Sequence, residues 1–532
     1  MDMHAVYEYI EAHQSEALDE LRAFCAQPSV SADGRGLAEM AALVGAALER
    51  RGFQVDLVPM DGGYPIVYAE STDRTPDSAP TLLIYNHYDV QPEGDPDLWT
   101  CPPFDLTIRD GKLLARGVAD TKGNIVSRLA AIDALRAVRG TLPIKIKWII
   151  EGEEETGSGN LDKFLLDYRD RLAADGCLWE FGSFHWDGTP QIMLGMKGMV
   201  TVELSVEGPN RDLHSSMAAY VASPTWRLIW ALATLKDENE YVLIDGFYDD
   251  MRPPTATDLA LIKALPDDTD TRLKSLGLEQ FAVGLRDYHM RIAECFSPTC
   301  NVEGLWSGYT GPGSKTILPR EARAKLDFRL VPDQNPDQIV KSLREHLDEK
   351  GFTDVVITQL DTNLYPARVD PASPFVVLAM TVAAELSGRR PLVYPSSPAS
   401  GPMYSFSQGL GLPVVAMGCG YPGSATHAPD ENIRVDDFRQ GTREMALLFQ
   451  RMAGFDFAAA ARLDAAFEAR KKATVVPGVA PELADPFSTL ETGLEPIDMD
   501  AIAAEMAREF SEPSAVEAPP PAKPARRRSR EK

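Results

Sequence analysis

The apolar run 144–150 closes on Trp148-Ile149-Ile150 and passes straight into Glu151-Gly152-Glu153-Glu154-Glu155, four carboxylates within five residues. A short continuous apolar run reads as a strand buried in a sheet. Carboxylates crowded at its end repel one another unless something positive sits among them. A solvated acidic loop is the plain alternative, but such loops rarely cap a continuous buried strand. The segment points to a sheet whose strand ends carry chemistry, with metal binding and acid–base work both open.

The pattern around this strand defines the sheet. Apolar positions recur at helical spacing over 4–26 (Val6, Ile10, Leu18, Leu21) and over 37–48. β-rich runs follow at 66–69 and 81–85, then a helix at 123–138, the strand at 144–150 and a helix near 161–168. Strand and helix in alternation predict an α/β unit with a mostly parallel sheet flanked by helices. From Val200 the texture changes. Strands at 201–207, 301–305, 322–330 and 355–360, with helices at 224–235 and 338–347, give the order β-α-β-β-α-β. That is a ferredoxin-like α+β unit, interrupted by a mostly helical insertion over 236–298. The α/β pattern resumes with a helix at 375–386, a strand at 414–417 and a helix at 438–452, so the smaller unit is inserted in the larger. Beyond Phe455 strand signals vanish, and Pro519-Pro520-Pro521 and Arg526-Arg527-Arg528 close a tail, 456–532, expected to be weakly structured and disordered at its end.

A chain of 532 residues exceeds what one hydrophobic core usually spans, roughly 250–300 residues, so two domains are expected. The net charge of −26 disfavours nucleic acid and anionic membrane as partners, since phosphate binding needs a positive field. The six cysteines (Cys25, Cys101, Cys177, Cys295, Cys300 and Cys419) are scattered with no CxxC pair. No leader-like or membrane-spanning apolar stretch occurs, so the expectation is a cytoplasmic protein with reduced thiols.

Five clusters can do chemistry, each at or near a strand end, where open α/β sheets place their sites. His87 and Asp89, two apart in extended chain, point to one side. A carboxylate there can accept an imidazole N–H and orient the ring for a metal, although a surface His–Asp pair has the same pattern. Asp120, in Arg116-Gly117-Val118-Ala119-Asp120-Thr121-Lys122-Gly123, equally suits a helix cap. The other three are the acidic run 151–158, Glu180 after Cys177-Leu178-Trp179, and His427 before Ala428-Pro429-Asp430-Glu431. Together they offer a mixed nitrogen and oxygen donor set that suits zinc, or manganese where oxygen dominates.

In this combination and order the chain resembles the di-zinc exopeptidases that include cytosolic dipeptidases, carnosinase, carboxypeptidase G, acetylornithine deacetylase and succinyl-diaminopimelate desuccinylase. The resemblance covers roughly residues 1–455. It implies a discontinuous catalytic domain, 1–197 and 372–455, and an inserted lid and dimerisation domain, 198–371. It implies two divalent ions per subunit, zinc first, with manganese or cobalt as alternatives. His87 matches the first metal histidine, Asp89 the carboxylate behind it, and Asp120 the carboxylate bridging both metals. Glu151–Ser158 resembles the pattern EGxEExGS, which makes Glu154 the general base and Glu155 a ligand of the second metal. Glu180 falls where relatives carry Asp or Glu on the first metal, and His427 matches the last ligand. Two departures stand out: Thr121 follows the bridging residue where Asp or Asn is usual, and Glu180 sits in Leu178-Trp179-Glu180-Phe181 in place of Ser-Asp.

Asp212-Leu213-His214-Ser215-Ser216 resembles DLHSG, whose histidine in relatives reaches the partner subunit's site and stabilises the oxyanion. The segments around Thr316 and Arg329 resemble a substrate-grasping loop and strand, and Ser400 and Gly401 a loop holding the substrate carboxylate. The resemblance therefore implies a homodimeric hydrolase cutting the amide bond of dipeptides or similar small substrates with a free carboxylate. An N-acyl-amino-acid deacylase would use the same machinery. A non-catalytic binding protein would be expected to lack one of these residues, and every position is filled.

Overall fold

The computed structural model describes residues 3–360 and 363–457. The tail expected from 456 onward lies, from 458, outside the described residues.

The Thr81–His87 strand is buried along nearly its whole length, and the acidic run begins at the last residue of its parallel neighbour, Lys145–Glu151. The two pair in register, with His87 opposite Glu151. Parallel strands Gly176–Leu178 and Val414–Val415 extend the sheet on one side, and antiparallel strands Ile66–Ser71 and Phe53–Val58 on the other. The result is the mostly parallel sheet expected, with an antiparallel edge. Helix Gly123–Arg139 packs on it, stopped by Gly140 in the left-handed region at φ 82° and carrying Arg136 and Arg139 in its last turn, where cations suit the dipole.

In the second sheet four strands pair antiparallel, in the order Thr299–Ser307, Glu321–Leu330, Gly195–Glu207, Val356–Gln359. Helices Pro224–Leu232 and Pro336–Glu349 complete the β-α-β-β-α-β order. The two sheets have separate hydrophobic cores, one around Trp148, Trp179 and Tyr85, the other around Leu204, Phe328 and Leu343. One strand serves both units. Gly195–Glu207 pairs at its start with Ala367–Arg368 and Ser397–Ser400, and further on with Glu321–Leu330.

The differences from expectation are local. The helical pattern over 4–26 breaks at His13 into His4–Ala12 and Gln14–Ala26. The Phe53–Val58 edge strand, half exposed, and the three-residue Gly176–Leu178 strand are too weakly patterned or too short to stand out in sequence. The insertion holds three helices, Ala256–Lys263, Thr269–Leu276 and Asp287–Phe296, the first closed by a reciprocal Thr255–Asp258 cap. No helix among the described residues is long and apolar enough to cross a membrane.

Helix Val435–Met452 buries Glu444, whose Oε1 has no hydrogen-bond partner among the described residues. Burial alone pushes this carboxyl up from 4.5 to about 8. The folded chain then keeps the proton while the unfolded chain gives it up, so stability falls as pH rises from about 4.5 to 8 and levels off above. Glu444→Gln is expected to flatten that fall by several kcal/mol, at ~1.4 kcal/mol per pKa unit. Thermal unfolding of both proteins at pH 5 and pH 8 measures it. Parallel pH slopes would show that Glu444 ionises normally in the fold.

Candidate metal centre

The parallel strands deliver their ends to one cleft. His87 is the last residue of its strand, and its ring is fully buried. Its Nδ1 lies 3.0 Å from the backbone carbonyl of Asp89 and 3.3 Å from that residue's Oδ1. The better contact is therefore with the main chain, whereas the side-chain pairing was expected. The Asp89 carboxylate also accepts from the backbone N–H groups of Glu154 at 3.3 Å and Glu155 at 3.1 Å. It ties the ring to the acidic turn, a role its spacing from His87 does not reveal.

Asp120 stands between two imidazoles. Its Oδ1 is 3.0 Å from His87 Nε2 and its Oδ2 is 3.1 Å from His427 Nε2. His427 Nε2 also lies 3.1 Å from Glu155 Oε2, and His87 Nε2 lies 3.5 Å from Glu180 Oε2. Donor atoms of His87, Asp120 and Glu155 all fall within 4.8 Å of one another. Thr121, the departure after Asp120, donates its hydroxyl to the His87 carbonyl at 3.2 Å and so ties the Asp120 segment to the strand.

The four carboxylates of 151–155 divide by task. Glu151 is buried and accepts from Tyr85 Oη at 2.6 Å and Ser158 Oγ at 2.9 Å. Glu153 accepts from the Tyr64 and Asn160 backbones. These two hold the turn, and Glu154 and Glu155 line the cleft. One further anchor went unread in the sequence. Glu431, fully buried, accepts from Arg116 Nη1 at 2.7 Å and from the backbone N–H groups of Gly117, Ala119 and Asp120 at 2.9–3.1 Å. It fixes the Asp120 backbone from 311 residues away, and only a buried partner identifies it.

The electrostatics are those of a centre with excess negative charge. Burial, with Glu180 beside it, holds the Glu154 carboxyl well above its ordinary range. Burial and then Asp120 raise Glu155. Burial, reinforced by Asp120 and Glu151, pushes Glu180 up to about 8. Burial pushes Asp120 the same way, but the His427 and His87 rings outweigh it and hold the carboxyl below its usual range. The Asp120 and Glu155 carboxylates push His427 up to about 10. His87, despite burial, is held well above its usual value by Glu180, Asp120 and Asp89. Two imidazoles thus face four carboxylates, and among the described residues the buried Glu180 Oε2 has no hydrogen-bond partner. A donor set so rich in carboxylate, with an orphaned oxygen, fits divalent cations.

The cleft measures about 1010 Å³ and extends to Arg329 and Ser400. Arg329 Nη1 donates to Ser400 Oγ at 2.8 Å. Gly401 lies against the acidic residues: a Cβ there would meet Glu154 Oε1 at 3.3 Å. His214 and Thr316 do not join them within one chain. Both are exposed, His214 on a two-stranded ribbon, Leu213–His214 with Ile317–Leu318, and Thr316 just before its second strand, and neither lines the cleft. There His214 Nδ1 accepts from the Ser216 N–H at 3.2 Å and so caps the short helical turn Ser215–Ala219.

A mostly parallel α/β sheet carrying this carboxylate–imidazole cluster at its strand ends, with a second sheet across the cleft, defines a metallohydrolase. The pattern of peptidase family M20/M25/M40 matches residues 83–451, and the chain belongs to that family; it is a metallopeptidase. The chain is 27% identical over 473 residues to the human Beta-Ala-His dipeptidase, covering 84% of this chain and 92% of that one. It is 28% identical over 367 residues to the Cys-Gly metallodipeptidase of Schizosaccharomyces pombe, covering 65% and 76%. Among solved structures, an M20 family metallo-carboxypeptidase from Sulfolobus solfataricus matches with TM-score 0.77 at 38% identity, over 82% of this chain and 99% of its own. Human carnosine dipeptidase 1 matches with TM-score 0.74 at 26% identity, over 85% and 100%.

Glu431→Gln replaces an acceptor facing four donors with a group half of which is itself a donor. Breaking such a buried pair costs about 3–5 kcal/mol. The expected outcome is a lower unfolding temperature together with reduced metal retention after dialysis, read by denaturation and elemental analysis. Wild-type values on both would show that Glu431 does not set the Asp120 backbone.

Proposed function

We propose that the chain hydrolyses the amide bond of dipeptides carrying a free carboxylate, with two divalent ions held at this centre. The observation that carries the reading is Asp120 between His87 and His427, one carboxylate oxygen towards each ring, with Glu154 beside it in the same cleft as Arg329. His87, Asp120 and Glu180 would hold one ion, and Asp120, Glu155 and His427 the other. Zinc is favoured by the mixed imidazole and carboxylate donors, with manganese or cobalt able to use the same set. Bound there, the ions supply Lewis-acid polarisation of the scissile carbonyl and make a water acidic enough to attack it. Glu154 takes that water's proton and hands it to the leaving amine, so it ends the cycle as it began. Asp89 keeps His87 and the Glu154–Glu155 turn in one orientation. Arg329, aligned by Ser400 and suited to a planar carboxylate, holds the substrate's free terminus, with Gly401 leaving room beside Glu154.

His214 and Thr316 act from a second subunit in this reading. Their ribbon stands outside its own cleft, and a donor for the developing oxyanion is needed opposite the ions. The inserted unit offers a surface for the dimer. Trp226 and Trp230, each 56% exposed, stack on each other in helix Pro224–Leu232. The helix begins against the Thr299–Ser307 edge strand, through Thr225 Oγ1 and Ser307 Oγ at 2.8 Å, and that strand exposes Val302, Leu305 and Trp306. An apolar patch beside an open strand edge suits pairing of two copies. The acidic charge and unpaired cysteines fit a cytoplasmic setting.

Glu154→Gln is expected to keep its metal and lose about 10²-fold or more in kcat on a dipeptide panel, the loss of a general base. His427→Ala is expected to lower the metal content itself. Near-normal turnover of the first, or full metal in the second, would sink the assigned roles. Cleavage of acetylated amino acids in place of dipeptides would turn the reading to a deacylase.

Mixing inactive His214→Ala with inactive Glu154→Gln subunits tests the shared site. If His214 acts across the dimer, each mixed dimer has one site with base and histidine intact, and activity returns on subunit exchange. Continued inactivity in confirmed mixed dimers would place the histidine in its own chain's site.

A further inference from the structure

Strand residues 190–207 order the cleft from end to end. Met193 pairs with Tyr394, and Met199 pairs with Arg329. Between them Met196 reaches the acidic residues: the same Cβ at Gly401 that would meet Glu154 would meet Met196 Cε at 2.9 Å. At ~3.3 Å per strand residue, the Tyr394 and Arg329 ends lie about 10 Å to either side of Met196. Arg329 is the carboxylate grip of the proposed function, on which the present inference rests. The Tyr394 end therefore faces the other half of the substrate, the residue that contributes the scissile carbonyl.

That end is built by the helical insertion. Its small core joins Ile262, Leu265, Cys295 and Phe296 to Tyr394. Asp258 pairs with Arg368, and Lys197 Nζ donates to the Ser297 carbonyl at 2.7 Å, so the insertion is tied to the main body at two more points. Four charged side chains interlock there. Arg272 donates through Nε to Asp268 Oδ2 at 2.9 Å and through Nη1 to Glu294 Oε1 at 2.8 Å. Arg291, buried, donates to the other two oxygens, Asp268 Oδ1 at 2.5 Å and Glu294 Oε2 at 2.7 Å. Every carboxylate oxygen of the quartet has a guanidinium partner, and its formal charge is zero. Arg272 lines the cleft, and among the described residues its Nη2 makes no hydrogen bond. Glu294 lines the cleft as well, but each of its oxygens already accepts from an arginine, so the network presents spare N–H groups ahead of spare acceptors.

We propose that Arg272 determines specificity at this end, taking a carbonyl-side residue whose side chain ends in a hydrogen-bond acceptor, a carboxylate or a carboxamide. Met193 and Tyr394 wall the path to it and suit the methylene stem of such a side chain. Gln191 Nε2 donates to Tyr394 Oη at 3.1 Å, which keeps that ring in place along the path. The insertion is thus part of the substrate site, not an appendage of the smaller sheet.

The full chain, purified with its metal and carrying Glu154→Gln to stop turnover, is titrated calorimetrically with Glu-Ala, Gln-Ala and the isosteric Met-Ala. The acceptor-ended dipeptides are expected to bind about 10-fold tighter than Met-Ala or better, the worth of one charge-assisted hydrogen bond. Adding Arg272→Met is expected to erase that ratio. Arg272→Lys keeps a cation for Asp268 and Glu294 but loses the guanidinium fork, and is expected to lower the ratio to about 3-fold or less; it serves where the methionine variant does not fold. A gain for Glu-Ala alone assigns a carboxylate, and for both acceptors the shared chemistry. Equal binding of all three, or a ratio that survives both substitutions, overturns the role of Arg272. If the wild type cleaves no dipeptide, the proposed function falls, and the titrations still decide whether Arg272 reads the side chain.

Discussion

A buried excess of carboxylate governs this molecule. Asp120, Glu154, Glu155 and Glu180 meet two imidazoles in a partly enclosed cleft, and Glu180 Oε2, 3.5 Å from His87 Nε2, makes no hydrogen bond among the described residues. Carboxylates brought together out of water repel, and the protein can hold them only by protonating them or by admitting cations. The chain invests in keeping them together. Asp89 grips the turn that bears Glu154 and Glu155, Glu431 grips the backbone of Asp120, and Glu151 and Glu153 are spent on the frame. Acidic residues thus hold other acidic residues in place by way of backbone N–H groups, which supply positive ends without adding a competing side chain to the site.

The same logic explains a buried arginine beneath the cleft. Arg128, on helix Gly123–Arg139, is fully buried and donates to the carbonyls of Tyr85, Trp179 and Met417 and to the Asn86 side chain. These carbonyls sit at or just beyond the ends of three parallel strands. Burial lowers its pKa only to about 10, so the guanidinium stays charged at neutral pH. It staples the strand ends, placing His87 and Glu180 at a common height, and adds a positive charge under the carboxylates without reaching into the site. A lysine could not span three strands with a planar fork of donors.

The legible part of the fold was the part written in local pattern. Long apolar runs ending in polar or charged residues, such as 81–85 and 144–150, announce buried parallel strands, and the inserted β-α-β-β-α-β order is periodic enough to read directly. Asp89 shows the limit: its spacing from His87 is visible, but not that its carboxylate also serves the turn 65 residues later. Glu431 was visible only as the end of a motif, because its partners Arg116 and Asp120 are more than 300 residues away. Arg272 was invisible as a cleft residue, since a charged residue on a short amphipathic helix reads as a solvated face. Its Asp268–Glu294 cradle exists only in three dimensions. Local periodicity reports which side of an element faces water. It carries no information on which distant backbone a buried carboxylate will meet.

The relation between the two sheets bears on how a substrate could be gripped and cut with constant geometry. Gly195–Glu207 is hydrogen-bonded to the main body at its start and to the second sheet beyond. Arg329 is opposite Met199 on this strand, and Met196, three residues before, is packed against Gly401, which lies beside Glu154. The distance from Arg329 to the acidic centre is therefore set by a few residues of extended backbone that belong to both units. Ser400 closes the loop, accepting from Arg329 and donating to the Gly198 carbonyl at 3.1 Å. The ribbon bearing His214 and Thr316 has no such tie to the cleft of its own chain. Arg329 and Met196, which line the cleft with the acidic residues, are thus held by the strand both units share, and His214 and Thr316 are carried at a ribbon that stands apart from it.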